Sequence, residues 1–169
     1  STAATQFNWT YDNVVPTITG VSLAANNATI AVTMSEAVFN TNGGSGALQA
    51  SDFALSISGG LATLSSATPS SISISGNAYT LGIGLSGTPN GSETLTVVPT
   101  DNGIYDTAGN EASTSQSNNT ASLNDKFVPA KPSGLKATSG VAKVAFIWNK
   151  NRETDVASYK VYRSTNYGF

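Results

Sequence analysis

The chain has 169 residues, a net charge of −2, and neither cysteine nor histidine. This composition excludes disulfide bonds, thiol chemistry, Cys/His zinc centres and every catalytic site that depends on imidazole. No apolar run reaches the roughly 18 residues that a membrane-spanning helix needs. We therefore expect a protein that is not an enzyme and that has no membrane-inserted segment in this part of the chain.

The charged residues are sharply segregated along the sequence. Residues 1–125 contain eight acids and no base, a net charge of −8, whereas residues 126–169 contain eight bases and two acids, a net charge of +6. So abrupt a change in charge marks a boundary between modules. It also argues against nucleic acid as a partner of the first module, because phosphate binding requires lysine and arginine.

Apolar residues alternate with polar ones through most of the chain, a period that predicts strands rather than helices. In chain order, the predicted strands centre on residues 7–11, 21–23, 30–34, 53–57, 72–74, 79–85 and 95–97. Asn26-Asn27 supplies the turn of a first hairpin, and Ser75-Gly76-Asn77 supplies the turn of a second. Short strands separated by Gly, Asn, Ser and Pro turns predict an all-β sandwich.

Several motifs between residues 14 and 125 are typical of one class of repeat. They are Pro16-Thr17-Ile18, the segment Val32 to Val38, Ser51-Asp52-Phe53, and Asp106-Thr107-Ala108-Gly109-Asn110. In these motifs the chain resembles bacterial immunoglobulin-like repeats of large secreted and surface-anchored proteins. The resemblance implies an immunoglobulin-like Greek-key β-sandwich over residues 14–125. Residues 1–13 are then interpreted as the last strand and linker of an upstream repeat.

After a linker at residues 126–131, three further segments carry a second resemblance. Pro132 to Ala137, Lys143 to Trp148 and Tyr159 to Ser164 resemble strands A to C of a fibronectin type III domain, with Trp148 as its core tryptophan. Residues 132–169 would thus be the N-terminal part of such a domain, an incomplete fibronectin type III-like β-sandwich. Because three strands cannot close a sandwich, we expect an open apolar face on this segment.

Clustered oxygen-bearing side chains make calcium the one cofactor that the sequence suggests. Asp101, Asp106 and Asn110 share a turn-rich stretch, and Asp12 and Asp125 lie beside the predicted linkers. Calcium takes six to eight oxygen ligands, and a bound cation would relieve the repulsion among acids that have no basic neighbour. The alternative is that the acids are solvated while Gly109 and Asn110 form turns.

Two other residue types have a functional and a structural interpretation. Glu36, paired with another carboxylate, could serve glycoside hydrolysis, but we interpret it as a strand-end residue that makes structural hydrogen bonds. Trp148 alternates with Val144 and Phe146 on one strand face, which favours a core position over a sugar-stacking platform.

These features predict a non-catalytic structural or adhesive spacer module of a large secreted or cell-surface protein. Its partners would be neighbouring modules of the same chain, together with surface glycans or proteins. The alternative is an accessory region, linking or carbohydrate-binding, of a secreted polysaccharide-degrading enzyme. The two alternatives share the same modules and differ in what adjoins them.

Overall fold

A computed structural model describes residues 11–153 and 156–163 and shows an all-β protein. The chain divides into two compact units, with the boundary after Lys126, close to the change in charge. One short 3-10 turn, Ala50–Asp52, interrupts the described strands. The strands are β1 (Ile18–Leu23), β2 (Thr29–Met34), β3 (Phe53–Ser58), β4 (Thr63–Leu64), β5 (Ile72–Ser75), β6 (Ala78–Gly82), β7 (Leu85–Ser86), β8 (Thr94–Pro99), β9 (Thr120–Ser122), β10 (Ser133–Gly140) and β11 (Lys143–Asn149). No described helix is long and apolar enough to span a membrane.

The first unit is built from antiparallel sheets. One sheet has the strand order β1-β2-β6-β5, a second has the order β3-β8-β9, and β4 pairs with β7. The hairpins predicted around Asn26-Asn27 and Ser75-Gly76-Asn77 are confirmed as β1–β2 and β5–β6. The last strand of the unit, β9, contains only three residues and pairs with β8.

The core of the first unit lies between its two larger sheets. Alternate residues of β2, β6, β3 and β8 point inward, and Ile30, Val32, Leu81, Leu95 and Val97 are fully buried. The rings of Phe53 and Tyr79, one from each sheet, lie 5.9 Å apart between centroids. Burial of apolar surface of this kind contributes about 25 cal/mol per Å². With no disulfide available, these facing layers hold the unit together.

The two ends of the first unit leave from opposite ends of the β1–β2 hairpin. Ile18 pairs with Met34 where the chain enters, and Leu23 pairs with Ile30 next to the Asn27 turn. Six residues of strand separate these ends by about 20 Å. The exit segment returns to the Asn27 turn, where Asn124 is hydrogen-bonded. The entry and exit segments of the first unit thus lie at opposite poles.

The second unit is a β10–β11 hairpin followed by residues 156–163, which have no strand hydrogen bonding. The third predicted strand, residues 159–164, is therefore absent over 159–163, and residue 164 lies outside the described residues. Trp148 is half-buried, with its ring edge-on to Tyr159 at 5.3 Å between centroids. The open apolar face is confirmed, because Val144, Phe146 and Val161 remain 43–60% exposed. The strand predicted at residues 7–11 lies outside the described residues except for Tyr11, which is in no strand.

Glu93 is a carboxylate that is fully buried in the first unit. Its side chain accepts hydrogen bonds from the backbone amides of Leu61 (2.7 Å), Ala62 (3.0 Å) and Asn90 (3.1 Å). Burial alone would raise the pKa of Glu93, but these hydrogen bonds outweigh it and lower the pKa to about 2. The ionised side chain therefore joins two loops to the start of β8.

Replacing Glu93 with Gln is expected to destabilise the protein by about 3 kcal/mol at pH 7, since the pKa falls from 4.5 to about 2. A depressed carboxyl pKa stabilises the fold above the unfolded value and loses that contribution as pH falls from about 4.5 to 2. Urea unfolding across this pH range should therefore show a steep loss in the natural protein and a flatter profile in Glu93→Gln. Parallel profiles would contradict the assignment.

Gly60 provides an independent test of the same contact. It has φ +62°, and an added Cβ would overlap the Glu93 carboxylate, whereas Gly76 has φ +57° and open space at its Cβ. Both Gly60→Ala and Gly76→Ala strain the backbone, but only the first also displaces Glu93. Thermal unfolding should therefore show the larger loss of stability for Gly60→Ala. Equal losses would mean that the Glu93 side chain moves aside freely.

Candidate cation site at the module entrance

The segment that enters the first unit is fixed by a single asparagine side chain. The side-chain amide nitrogen of Asn110 donates to the carbonyl oxygens of Asp12 (3.2 Å) and Val14 (3.4 Å), and to Oδ2 of Asp106 (2.7 Å). The Asp12 carboxylate in turn accepts from the Val14 amide at 3.0 Å. The entry segment is thereby held against the turn that contains Asp106.

That turn is the Asp106 to Asn110 motif seen in the sequence. The Asp106 amide donates to the Asn110 carbonyl at 3.0 Å, and the Gly109 amide donates to the Asp106 carbonyl at 3.3 Å. Gly109 has φ +90°, a conformation that favours glycine. Antiparallel bridges from Tyr105 to Phe39 and to Glu111 anchor the turn to the body of the unit.

Asp106 is almost completely buried, at 1% exposure, and remains ionised. Burial by itself would raise its pKa, but hydrogen bonds from the side chain and backbone of Asn110, and from the Gly109 and Ala108 amides, lower it overall. The backbone amide of Asn110 donates to Oδ1 of Asp106 at 2.8 Å. A fixed negative charge therefore lies beneath the entry segment.

Three carboxylates meet at this point, and one of them comes from the end of β2. One oxygen each of Asp12, Glu36 and Asp106 lies within 4.8 Å of the others, and no other such group of three occurs among the described residues. Partial burial first, and then the charges of Asp106 and Asp12, raise the pKa of Glu36. Hard oxygen ligands of this kind suit calcium.

The five predicted ligands lie in three places. The structure brings Asp12, Asp106 and Asn110 together. Asp101 lies instead beside Asn102, whose amide side chain donates to it at 3.0 Å. Asp125 lies at the opposite pole, near Gly91.

Glu36 was missed as a ligand, and it has no hydrogen bond within the described part of the chain. The hairpin register could have found it. Turning at Asn26-Asn27 places Ser35 within one residue of Thr17. A register shift between Ile18 and Gly20 completes the alignment, and the Ser35 amide donates to the Thr17 carbonyl at 2.8 Å. Glu36 must then lie beside the entry segment, together with Asp12.

The exit segment is fixed by a second asparagine at the other pole. Asn27 is buried in a left-handed turn at φ 60°, where its side-chain amide donates to the Asn124 carbonyl at 2.7 Å. Its side-chain oxygen accepts from the Asn124 amide at 2.9 Å. Each connection of the first unit is therefore held by an asparagine that satisfies main-chain groups of the linker.

No protein-family model matches the chain, and no curated protein matches it. Among solved structures, the chain is similar to the N-terminal part of the bacterial S-layer protein SbsC, with 25% sequence identity and a TM-score of 0.44. That similarity covers 71% of this chain and only 26% of the SbsC chain, so this protein spans about a quarter of the length of its structural neighbour.

Proposed function

We propose that this chain is a non-catalytic spacer segment of a secreted or cell-surface protein, an immunoglobulin-like module followed by part of a fibronectin type III-like module. The observation that carries the proposal is the pair of asparagine clamps, Asn110 at the entrance and Asn27 at the exit, at opposite poles of the first unit. A module whose entry and exit segments are both held by hydrogen bonds fixes the orientation of the modules on either side of it. The motifs shared with bacterial repeats support the same assignment.

We further propose that the entrance cluster of Asp12, Glu36 and Asp106 binds calcium. The cluster gathers three negative charges where no basic side chain lies nearby in sequence, since the first base is Lys126. A divalent cation would neutralise that charge and join the entry segment to the body of the unit. One oxygen of each acid lies within 4.8 Å of the others. This spacing suits a small ion better than a sugar ring.

The entrance clamp is tested by replacing Asn110 with Ala. Loss of its hydrogen bonds to the Asp12 and Val14 carbonyls should loosen residues 12–14. Because the variant also loses the bond to the buried Asp106 carboxylate, the expected cost is about 2 to 3 kcal/mol. Amide order parameters of these residues should fall from a rigid value near 0.85 towards 0.6. Asn13→Ala, in the same segment but outside the clamp, should leave them unchanged. Equal mobility in both variants would remove the support for a stiff entrance.

The calcium proposal is tested with Glu36→Gln. Because partial burial, and then repulsion from Asp106 and Asp12, raise the pKa of Glu36, its neutral replacement should raise the melting temperature in chelator. The same replacement removes a ligand, so it should shrink the further rise that calcium produces. Asp101→Asn, an exposed acid outside the cluster, should preserve the calcium effect. If calcium leaves the melting temperature of the natural protein unchanged, the cluster is not a calcium site.

A further inference from the structure

Each of the two larger sheets of the first unit has two edge strands, and three of these four edges are protected within the described part of the chain. The edge of β3 is covered where the Leu55 amide donates to the Ala67 carbonyl at 2.7 Å, and β9 is only three residues long. β1 has a register shift between Ile18 and Gly20, and the Ile18 amide donates to the Gln116 side chain at 2.8 Å. Covered edges, short strands and bulges are the means by which native sheets avoid pairing with other chains.

β5 is the fourth edge, and it has none of these protections. The turn that joins it to β6 has two residues, Gly76-Asn77, so the pair that flanks this turn is hydrogen-bonded. Because hydrogen-bonded pairs alternate along an antiparallel ladder, the backbone groups of Ser73 point towards β6, and those of Ile72 and Ile74 point away from it. Within residues 11–153 and 156–163, no group bonds these outward donors and acceptors. β5 lies in the middle of the first unit and runs between its poles, so this open edge is lateral to the entry and exit segments.

The β5 edge lies in an uncharged stretch of the chain. No charged residue occurs between Asp52 and Glu93, and the Glu93 side chain is fully buried. β5 itself has the sequence Ile-Ser-Ile-Ser. A charged peptide would find no counter-charge on this strand, whereas a neutral strand that alternates in the same way would match it. A second β5 is such a strand.

We propose that β5 pairs antiparallel with β5 of a second copy of this chain, about a two-fold axis at Ser73. In this register Ile72 of one copy lies opposite Ile74 of the other, and each such pair exchanges both of its N–H···O bonds. The isoleucines lie on the inner face with buried Tyr79, and the serines lie on the outer face, so the strand matches itself when reversed. One continuous sheet then crosses both copies.

A cavity beside β5 gives this pairing an apolar contact as well. The cavity has a volume of about 430 Å³. Its lining includes Val38, Phe39, Leu48, Ile74 and Tyr79. Ile74 is 46% exposed, and Ile72 of the second copy would lie next to it on the inner face, at the mouth of the cavity. In strand addition, main-chain hydrogen bonds supply affinity and pockets for alternate side chains supply specificity.

Sedimentation velocity of the full chain in chelator tests the proposal. The mass should rise from monomer to dimer with protein concentration. Since the contact is uncharged and both first units are acidic, the dimer should be at least as strong at about 0.5 M salt as at about 0.05 M, where repulsion is less screened. Attraction between the acidic unit of one copy and the basic unit of another would weaken with salt instead. A dimer that dissociates at high salt, or a chain that stays monomeric at every concentration, would overturn the proposal.

Ser73→Lys and Ser22→Lys form a matched pair of variants. Both serines are exposed on the outer face of an edge strand, at opposite edges of the same sheet. Ser73→Lys places two lysines opposite each other at the two-fold axis, so it should weaken dimerisation about tenfold or more. Ser22→Lys adds the same charge on β1 and should have little effect. Equal weakening by the two variants would contradict the β5 contact.

Amide exchange in the natural chain locates the contact without any substitution. The amides of Ile72 and Ile74 face solvent in a single copy, so their exchange should slow as the dimer forms. The Ser73 amide already donates to β6 and should change little by comparison. A dimer in which Ile72 and Ile74 exchange as fast as in the monomer would overturn the proposal. Protection of both amides in a chain that sediments as a monomer would overturn it too, since the edge would then be covered from within the chain.

Discussion

Hydrogen bonding between side chains and the backbone is what lets the first unit bury carboxylates beside its apolar core. The unit has eight acids and a single base, Lys126, at its edge, so its buried polar groups cannot be neutralised by ion pairs. Glu93 and Asp106 are instead surrounded by amide donors, which keep both ionised in the interior. Burying a charge without hydrogen-bond partners would cost more free energy than the net stability of a typical domain. Among the described residues, no buried side-chain polar atom lacks a partner.

The same solution fixes where linkers attach. Asparagine carries a donor and an acceptor, so one side chain can satisfy two main-chain groups of a segment that no strand covers. Asn27 uses both for Asn124, whereas the side-chain NH2 group of Asn110 donates to the carbonyls of Asp12 and Val14. An acidic clamp at the entrance would add to the repulsion from Asp106 and Asp12 which, after partial burial, raises the pKa of Glu36. The residue that holds the entry segment therefore also affects the charge balance of the acidic cluster.

Much of the first unit could be predicted because one sheet face is buried. A period of two over Ile30, Val32 and Met34 specifies which residues face inward, and a slip of one residue would expose all of them. The pairs β4–β7 and β8–β9 escaped this reasoning, since strands of two or three residues are too short to show a period. Residues 159–163 show the opposite failure, because a period of two predicted a strand there that the structure does not contain. Its alternation of Tyr159 and Val161 is genuine, and Tyr159 packs against Trp148 of β11, but over residues 159–163 the segment forms no strand pairing.

The candidate site was only partly predictable for a different reason. Asp106 and Asn110 are four residues apart, so a local turn brings them together, and the motif alone reveals the contact. The β1–β2 register brings Glu36 beside the entry segment that contains Asp12. A search for acidic residues that are close in sequence does not detect this pairing. Sequence distance thus misled in both directions, grouping Asp101 with the site and leaving Glu36 out. The carboxylates that matter at the entrance are those that strand pairing, rather than proximity along the chain, places beside the linker.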